Sequence, residues 1–319
     1  MSLYIVRNMH KFYTNIYGCL YNRNLLPKWM LSPLRRSIRY FASRHLPRFL
    51  KKAPLPEAVC RCNDVIVSLT TFPARINDVW MTVSCLLRQT YIPAKIILWL
   101  SKEQFPSKQG LPNNLTSLEN DVFEIRFVDG DIRSHKKYVY AFREFPDMLV
   151  ITVDDDLIYS PSLIESLIEE HKKHPDDVLC RYAKKIKRDA EGNLLPYNRW
   201  QTLEEICDTD VFFGSGGGTL FQPHKMYRDV FDLELSQALT PLADDIWLNA
   251  MCRLAGLKIR LITRELYLFF DKNEKFSLSK QNVEMQQNDV QLKSIMDYYI
   301  ETTGINPFKE IKSYENKGY

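Results

Sequence analysis

The stretch LVITVDDDLIYSP, residues 149–161, decides the fold prediction, because an apolar run leads directly into three adjacent carboxylates. Residues 149–153 are apolar or β-branched, which is typical of a strand buried in a parallel sheet. Ligands bind at the carboxyl ends of strands in open α/β sheets, and Asp154, Asp155 and Asp156 follow such an end. Three neighbouring carboxylates repel one another, and a hard divalent cation relieves that repulsion. If strand geometry continues into the triplet, Asp154 and Asp156 lie on one face and Asp155 on the other; the alternative is a solvated acidic turn.

Apolar runs and amphipathic stretches alternate on both sides of this segment. Strands are predicted at 65–69, 95–100, 123–128 and 258–263, and helices at 79–89, 162–174, 240–256 and 290–302. This alternation is typical of a mainly parallel, doubly wound α/β sheet flanked by helices. The polar stretch 181–201 is predicted to be a surface excursion.

The composition is that of a globular protein with an unusual amino-terminal end. The 319 residues are 45% hydrophobic and 26% charged, and they contain seven cysteines with scattered spacing. This cysteine pattern predicts reduced thiols in a cytoplasmic protein, and no apolar run long enough for a membrane-spanning helix is present. Residues 1–56 hold 11 of the 43 basic residues and none of the 39 acidic ones. We therefore predict a basic, aromatic-rich arm at 1–56, one large domain at 57–305 and a polar tail at 306–319.

The segment 34–50 within this arm is predicted to be a helix. Its spacing places Leu34, Ile38, Phe41 and Ala42 on one face, with most of the arginines elsewhere. Such a helix suits an anionic membrane surface, where the protein would be peripheral on the inner face of the cytoplasmic membrane. A helical hairpin packed on the domain is the alternative. Nucleic acid is the least favoured partner, because nothing downstream resembles a nucleic-acid module.

Two further segments carry chemistry. VFFGSGGGTLFQP, residues 211–223, contains Gly216, Gly217 and Gly218, which allow a ligand to approach the backbone; a plain hairpin or bulge is the alternative. Asp244 and Asp245 stand where the helix predicted within 240–256 begins. The helix dipole favours carboxylates there and would by itself account for one of them.

Taken in order, four segments resemble the GT-A-type glycosyltransferases, particularly the family-2-like enzymes of bacterial capsule and lipopolysaccharide synthesis. The segments are VIVSLTTFPARI, RSHKKYVYAFREFPDMLVITVDDD, GSGGGTLFQP and ADDIW. The resemblance implies a Rossmann-like GT-A fold and transfer of a sugar from a nucleotide sugar. It favours UDP as the nucleotide of the donor, because members of the family commonly use UDP-sugars. The acceptor would be a hydroxyl of a glycan or lipid-linked saccharide, and the transfer would invert the configuration at the anomeric carbon of the sugar. Members often have Gly-Pro before the lysine that aligns with Lys137, where this chain has Arg133 and Ser134.

The chemistry of sugar transfer assigns a role to each candidate residue. A divalent cation, Mn²⁺ or Mg²⁺, would act as a Lewis acid on the donor diphosphate. Its expected ligands are Asp156 and Asp154. Lys137, with Lys136 as second choice, would add positive charge. The nucleotide pocket is predicted to comprise Thr70, Thr71, Arg75, Lys137, Asp154 and Asp155. The acceptor side is predicted to comprise Gly216, Gly217 and Gly218, with Asp245 as the base and Asp244 as second choice.

Three other functions compete with this interpretation. A haloacid-dehalogenase-type phosphatase also uses two aspartates after an apolar strand, but the residues after Asp156 do not follow its usual pattern. A sugar nucleotidyltransferase needs an early glycine-rich phosphate loop, which VSLTTFPARI lacks. The third is a non-catalytic, membrane-associated protein whose acidic site only binds a metal or a sugar.

Overall fold

The computed structural model describes residues 28–52, 60–263, 268 and 269, and 287–309. Predictions about residues 1–27 of the arm and about the tail beyond residue 309 lie outside these ranges. The division of the chain at residues 56 and 305 stays a prediction.

The described elements alternate between strands and helices. The strands are β1 (Cys60–Thr70), β2 (Tyr91–Ser101), β3 (Phe123–Val128), β4 (Leu149–Val153), β5 (Leu157–Ile158), β6 (Val178–Cys180), β7 (Ala183–Lys185), β8 (Gln201–Thr202), β9 (Val211–Phe213), β10 (Gly217–Phe221), β11 (Ile259–Leu261) and β12 (Leu268–Phe269). The α-helices are α1 (Lys28–Lys52), α2 (Val79–Leu86), α3 (Asn113–Thr116), α4 (Lys136–Glu144), α5 (Leu163–His171), α6 (Leu233–Leu239), α7 (Asp244–Leu254) and α8 (Gln287–Thr303).

The central sheet has seven strands in the order β11-β6-β10-β4-β1-β2-β3. Strands β4, β1, β2 and β3 are parallel to one another, and β11 is parallel to β6. Strand β10 is antiparallel to both β4 and β6. The predicted α/β class with a mainly parallel sheet flanked by helices is therefore confirmed. The chain winds outward from β1 to β3 and returns beside β1 as β4, so a topological switch point lies between β1 and β4.

The apolar strands are buried on both faces, which explains their near-continuous hydrophobic sequences. Along β1, Val65, Val67 and Leu69 pack in one core cluster and Ile66 in the other. Successive side chains of a strand point to opposite faces, so these two clusters are the two layers between the sheet and its helices. Helices α1, α2 and α5 contribute to the first layer, and helices α4, α7 and α8 contribute to the second.

Helix α1 covers the segment predicted to be helical, but its buried face differs from the predicted apolar face. Ala42, Leu46 and Leu50, spaced four residues apart, are buried in the first core layer. Leu34 and Phe41 are exposed instead, at 43% and 52%. The predicted face is therefore divided between the domain and solvent, and helix packing on the domain, the alternative given above, holds for this helix. None of the helices in the described ranges combines the length and apolarity needed to cross a bilayer.

The stretch 181–201, predicted to be a surface excursion, contributes to structure. Its strand β7 lies between β8 and β9 in a separate three-stranded sheet. Trp200 at its end is buried and packs against Phe212 of β9.

Candidate active site

The switch point brings the carboxyl ends of β1 and β4 together. Ser68 of β1 lies beside Thr152 of β4 in parallel register, so Thr71 and the acidic triplet emerge side by side. The Thr71 hydroxyl donates a 2.5 Å hydrogen bond to Asp155 Oδ2. Crevices of this kind, outside the carboxyl ends of strands that diverge, are where open α/β sheets bind ligands.

Arg75 organises two of the three triplet carboxylates. Its Nη1 lies 2.8 Å from Asp155 Oδ1, and its Nη2 lies 3.0 Å from Asp156 Oδ2. Strand β4 ends at Val153, so strand alternation does not extend into the triplet. The condition on which Asp154 and Asp156 were expected to share a face, strand geometry that continues into the triplet, is therefore not met. Asp155 and Asp156 share Arg75, and Asp154 faces another cation.

That second cation is Lys137, which the first turn of α4 carries into the site. Lys137 Nζ lies 2.9 Å from Asp154 Oδ1 and 3.0 Å from Asp244 Oδ2. Its side chain is only 5% exposed, and its backbone carbonyl accepts a hydrogen bond from Ser68. Although burial alone would lower the pKa of Lys137, Asp154 and Asp244 raise it above its ordinary value. The lysine is therefore a permanent positive charge that joins the triplet to the acidic pair.

The acidic pair occupies the first turn of α7, and the residue Ser215 contacts both members. The Ser215 hydroxyl donates to Asp244 Oδ2 at 2.6 Å, and its backbone N–H donates to Asp245 Oδ1 at 2.7 Å. Burial alone would raise the pKa of Asp244, but Lys137 and the Ser215 hydroxyl bring it down to about 2. Burial and the charge of Asp244 raise the pKa of Asp245 to about 6. Environments that separate the pKa values of neighbouring carboxyls identify the one suited to proton transfer.

The glycine-rich segment approaches the triplet at one point. Gly216 accepts a hydrogen bond from the Asp154 N–H, and a Cβ at Gly216 would lie 1.8 Å from Asp154 Cγ. Gly216 is therefore required by the position of Asp154. Gly217 pairs with Val153 in the sheet. Gly218 has a φ of 86°, and a side chain there would meet Leu163 of α5, so this residue packs against a helix.

Two predicted residues are engaged elsewhere. The Thr70 hydroxyl donates to the Trp99 carbonyl of the neighbouring strand at 2.8 Å, so of the two predicted threonines Thr71 is the one that contacts the triplet. Lys136 is buried in an ion pair with Asp131, so the second choice for the site lysine is wrong in this structure. At the departure from the family pattern, Arg133 takes a left-handed φ of 53°. Glycine adopts this conformation without strain, and here an arginine adopts it.

Sequence reasoning missed residues that hold the site from outside the motifs. The Tyr159 hydroxyl donates to the Gly216 carbonyl at 2.5 Å and accepts from the Asp154 N–H at 2.7 Å. Ser215 lies in the segment GSGGGTLFQP, in which a role was predicted only for the glycines. Tyr182 lies against Gly214, within the stretch interpreted as an excursion. No spacing rule in the sequence identifies these contacts.

The residues at the end of β4 suit a hard divalent cation. Carboxylate oxygens are the ligands that Mg²⁺ and Mn²⁺ prefer, and Mg²⁺ is commonly bound by one or two carboxylates together with substrate phosphates. Asp154 is 44% exposed and Asp156 15%, whereas Asp155 is held by Thr71 and Arg75. In the part of the chain that the structure describes, no three metal-ligating side chains surround one point. A site of two carboxylates that a diphosphate completes is therefore the arrangement that fits.

Comparison with known proteins finds similarity in structure alone. No family model matches the chain, and no curated protein matches it. The mannosyltransferase PcManGT from Pyrobaculum calidifontis, solved with GDP-Man and Mn²⁺, is 13% identical with a TM-score of 0.46, over 85% of this chain and 74% of that one. S. aureus TarS 1–349 is 11% identical with a TM-score of 0.43, over 77% and 74%. The 4-diphosphocytidyl-2C-methyl-D-erythritol synthase from Anaerococcus prevotii is 12% identical with a TM-score of 0.41, over 71% and 96%. The structures that resemble this chain thus include a mannosyltransferase and a synthase, each at low sequence identity.

Proposed function

We propose that this protein is a metal-dependent glycosyltransferase that moves a sugar from a nucleotide sugar, with UDP-sugars as the first candidates, to a hydroxyl of a glycan or lipid-linked saccharide. The observation that supports it most directly is the position of Lys137, about 3 Å from both Asp154 and Asp244. One cation joins the triplet at the end of β4 to the acidic pair at the start of α7. Sugar transfer needs a site for the diphosphate and a base for the acceptor within one substrate length of each other.

The donor side of this proposed site is the crevice between β1 and β4. Five carboxylates, those of Asp154, Asp155, Asp156, Asp244 and Asp245, face two permanent cations there, Arg75 and Lys137. A divalent cation held by Asp154 and Asp156 offsets the remaining negative charge and, when bound, supplies Lewis acidity toward the diphosphate. Thr71 and Arg75 hold Asp155 in place, and Lys137 stabilises negative charge that develops on the leaving group.

The acceptor side is defined by Asp245. A carboxyl with a pKa of about 6 is still mostly ionised at neutral pH, and it is a stronger base than an ordinary aspartate. Asp244, with a pKa of about 2, holds Lys137 and Ser215 and does not accept a proton in this pH range. We therefore propose that Asp245 takes the proton from the acceptor hydroxyl and that Asp244 is a positioning residue. A single base on the acceptor side corresponds to an inverting reaction.

The glycines at 216 and 217 remain part of this proposal, because they lie beside the triplet where the donor sugar would stand. Gly216 leaves room for Asp154, and Gly217 continues the strand next to Val153. Gly218 is assigned to packing against Leu163. Backbone that approaches a sugar closely suits recognition of its hydroxyls by N–H and C=O groups.

The proposal includes a peripheral position on the inner face of the cytoplasmic membrane, through the outward face of α1. The helix contains eight lysines and arginines and no acidic residue. With Ala42, Leu46 and Leu50 buried against the domain, the opposite side carries exposed aromatic and basic side chains, namely Tyr40, Phe41, Arg36, Arg44, Arg48 and Lys51. Aromatic rings at headgroup depth with cations at the phosphates are the composition that binds anionic lipid surfaces. No nucleic-acid partner is proposed.

The test is nucleotide release from a panel of UDP-, GDP- and dTDP-sugars with Mn²⁺ and mixed glycan acceptors. We expect turnover with at least one donor, and loss of more than about a hundredfold for Asp156→Ala, because the cation stabilises charge on the leaving group. Asp176→Ala, at an aspartate that is 84% exposed, is the matched control and should keep full activity. Hydrolysis of phosphate monoesters without any nucleotide-sugar turnover would replace this proposal with a phosphatase. Metal and nucleotide-sugar binding without turnover would indicate the non-catalytic alternative.

A further inference from the structure

A strand from the small sheet forms a wall beside Asp245. The Gly214 N–H donates to the Tyr182 carbonyl at 3.1 Å, and the pairing continues from Ala183 opposite Phe213 to Lys184 opposite Phe212. The backbone that carries Ser215, which binds both acidic residues, is thus held directly by β7. Residues of β7 are therefore placed where an acceptor bound at Asp245 would lie.

Tyr182 and Asp245 border the same point in space. A Cβ at Gly214 would lie 2.7 Å from Tyr182 Cδ1 and 4.0 Å from Asp245 Oδ2. Only the absence of a side chain at Gly214 lets the ring and the carboxylate flank that point. Aromatic rings are favourable surfaces for the apolar faces of sugars, so a sugar stacked on Tyr182 would have its hydroxyls near Asp245.

Lys184 follows two residues later, within β7, which begins directly after Tyr182. Its ammonium lies 3.9 Å from the centroid of the Tyr197 ring. Among the described residues it has no carboxylate partner within ion-pair distance, although it is partly buried. Burial lowers the pKa of Lys184, and the charge of Asp245 opposes that effect. A partly desolvated cation without an ion pair is suited to an anionic ligand.

We propose that Tyr182, Lys184 and Tyr197 form an acceptor subsite and that Lys184 binds an anionic group, a phosphate or a carboxylate, on the sugar acceptor. This inference rests on the proposed function. The acceptor ring lies on Tyr182, its reacting hydroxyl meets Asp245, and its anionic group meets Lys184 where the Tyr197 ring already supports the ammonium. Lys184 is thus a specificity-determining residue, because a neutral acceptor leaves its charge unpaired.

The test is binding of three acceptor probes by calorimetry in the presence of a nucleoside diphosphate and Mn²⁺. The probes are octyl β-glucoside, its 6-phosphate and octyl β-glucuronide. We expect at least one anionic probe to bind about tenfold more tightly than the neutral one, as one charge-assisted contact predicts. Comparison of the phosphate with the uronate identifies which anion the subsite prefers. No binding of either anionic probe, or equal affinity for all three, would overturn the proposal.

Variants separate charge recognition from an indirect effect on the base. Lys184→Gln should abolish the preference for the anionic probes over the neutral one, and Lys184→Arg should keep most of that preference. Lys173→Gln, at an exposed lysine just after α5, is the matched control. If Lys184 acted only through Asp245, its loss would alter turnover of charged and neutral acceptors equally, and the charge preference would survive. Because binding is measured without turnover, and nucleotide release from the donor is measured separately, failure of this subsite and failure of the proposed function are distinguishable.

Discussion

Asp244 and Asp245 are adjacent in sequence, yet their surroundings displace their pKa values in opposite directions, to about 2 and about 6. Asp244 lies 3.0 Å from Lys137 Nζ and accepts the Ser215 hydroxyl. Asp245 is held by a backbone N–H and experiences the negative charge of its neighbour. One position of the pair is therefore fixed as an anion, and the other is able to exchange a proton near neutral pH.

Because the two pKa values are displaced in opposite directions, replacing each aspartate by asparagine is predicted to change the stability of the fold in opposite directions. The folded-state pKa of Asp244 is below the ordinary value, so its ionised form stabilises the fold above pH 4, and that contribution is lost as the pH falls through about 2. The pKa of Asp245 is above the ordinary value, so its ionised form costs stability, fully so above pH 6. At pH 8 we expect Asp244→Asn to lower the free energy of unfolding by about 2 kcal/mol and Asp245→Asn to raise it by about 2 kcal/mol.

Urea unfolding of both variants at pH 8 and pH 4 measures this difference. The gain from Asp245→Asn should shrink at pH 4, where the wild-type carboxyl is already protonated in the folded state. Equal destabilisation by the two substitutions at pH 8 would show that the pair is not divided in this way.

A second prediction concerns the contact between Gly216 and Asp154. The methyl group of Gly216→Ala would lie within 2 Å of the Asp154 carboxylate, so the carboxylate has to move. We expect the Mn²⁺ affinity measured by calorimetry to fall at least about tenfold, the scale at which disturbed metal-ligand orientation acts. Gly110→Ala is the matched control, because nothing lies within 4 Å of a Cβ there. Unchanged Mn²⁺ binding in Gly216→Ala would remove Asp154 from the proposed metal ligands.

A third prediction concerns the outward face of α1. Arg44→Glu with Arg48→Glu reverses two exposed charges and leaves the buried residues Ala42 and Leu46 in place. Basic residues near an anionic surface contribute about 1 kcal/mol each, so partitioning to phosphatidylglycerol-containing vesicles should fall by at least about tenfold. Lys172→Glu with Lys173→Glu, at the carboxyl end of α5, changes the net charge equally and should have little effect. If both pairs lower sedimentation equally, overall charge and not α1 governs the association.

The sequence predicted the fold well where burial alone shapes the pattern. The bounds of β4 agree with the predicted 149–153, because a strand buried on both faces has a continuous apolar sequence that ends abruptly. The bounds of the edge strand β3 agree with the predicted 123–128, where Phe123, Ile125 and Phe127 alternate with polar or charged residues. The acidic triplet and the acidic pair were also identified, since charges at the end of an apolar element stand out.

Contacts between distant segments could not be predicted. The ion pair of Lys137 with Asp244 joins residues 107 positions apart, and no local pattern specifies it. Helix α1 offered two apolar faces of suitable spacing, and only the packing of Leu46 against the domain shows which is buried. The strand at 183–185 has two lysines among its three residues, so its pairing with β9 has no hydrophobic signal in the sequence.

The central claim, that Asp245 is the base of a sugar-transfer reaction, is tested most directly by the pH dependence of kcat/KM for the acceptor, which reports the pKa of the free enzyme's base. Wild type should gain activity as the pH rises through about 6 and then level off, because the base has to be ionised. Asp245→Asn should lower kcat by about 10² to 10⁴ and lose this inflection, while its affinity for the donor stays near that of the wild type. An Asp245→Asn variant that keeps the wild-type kcat and pH profile would contradict the account.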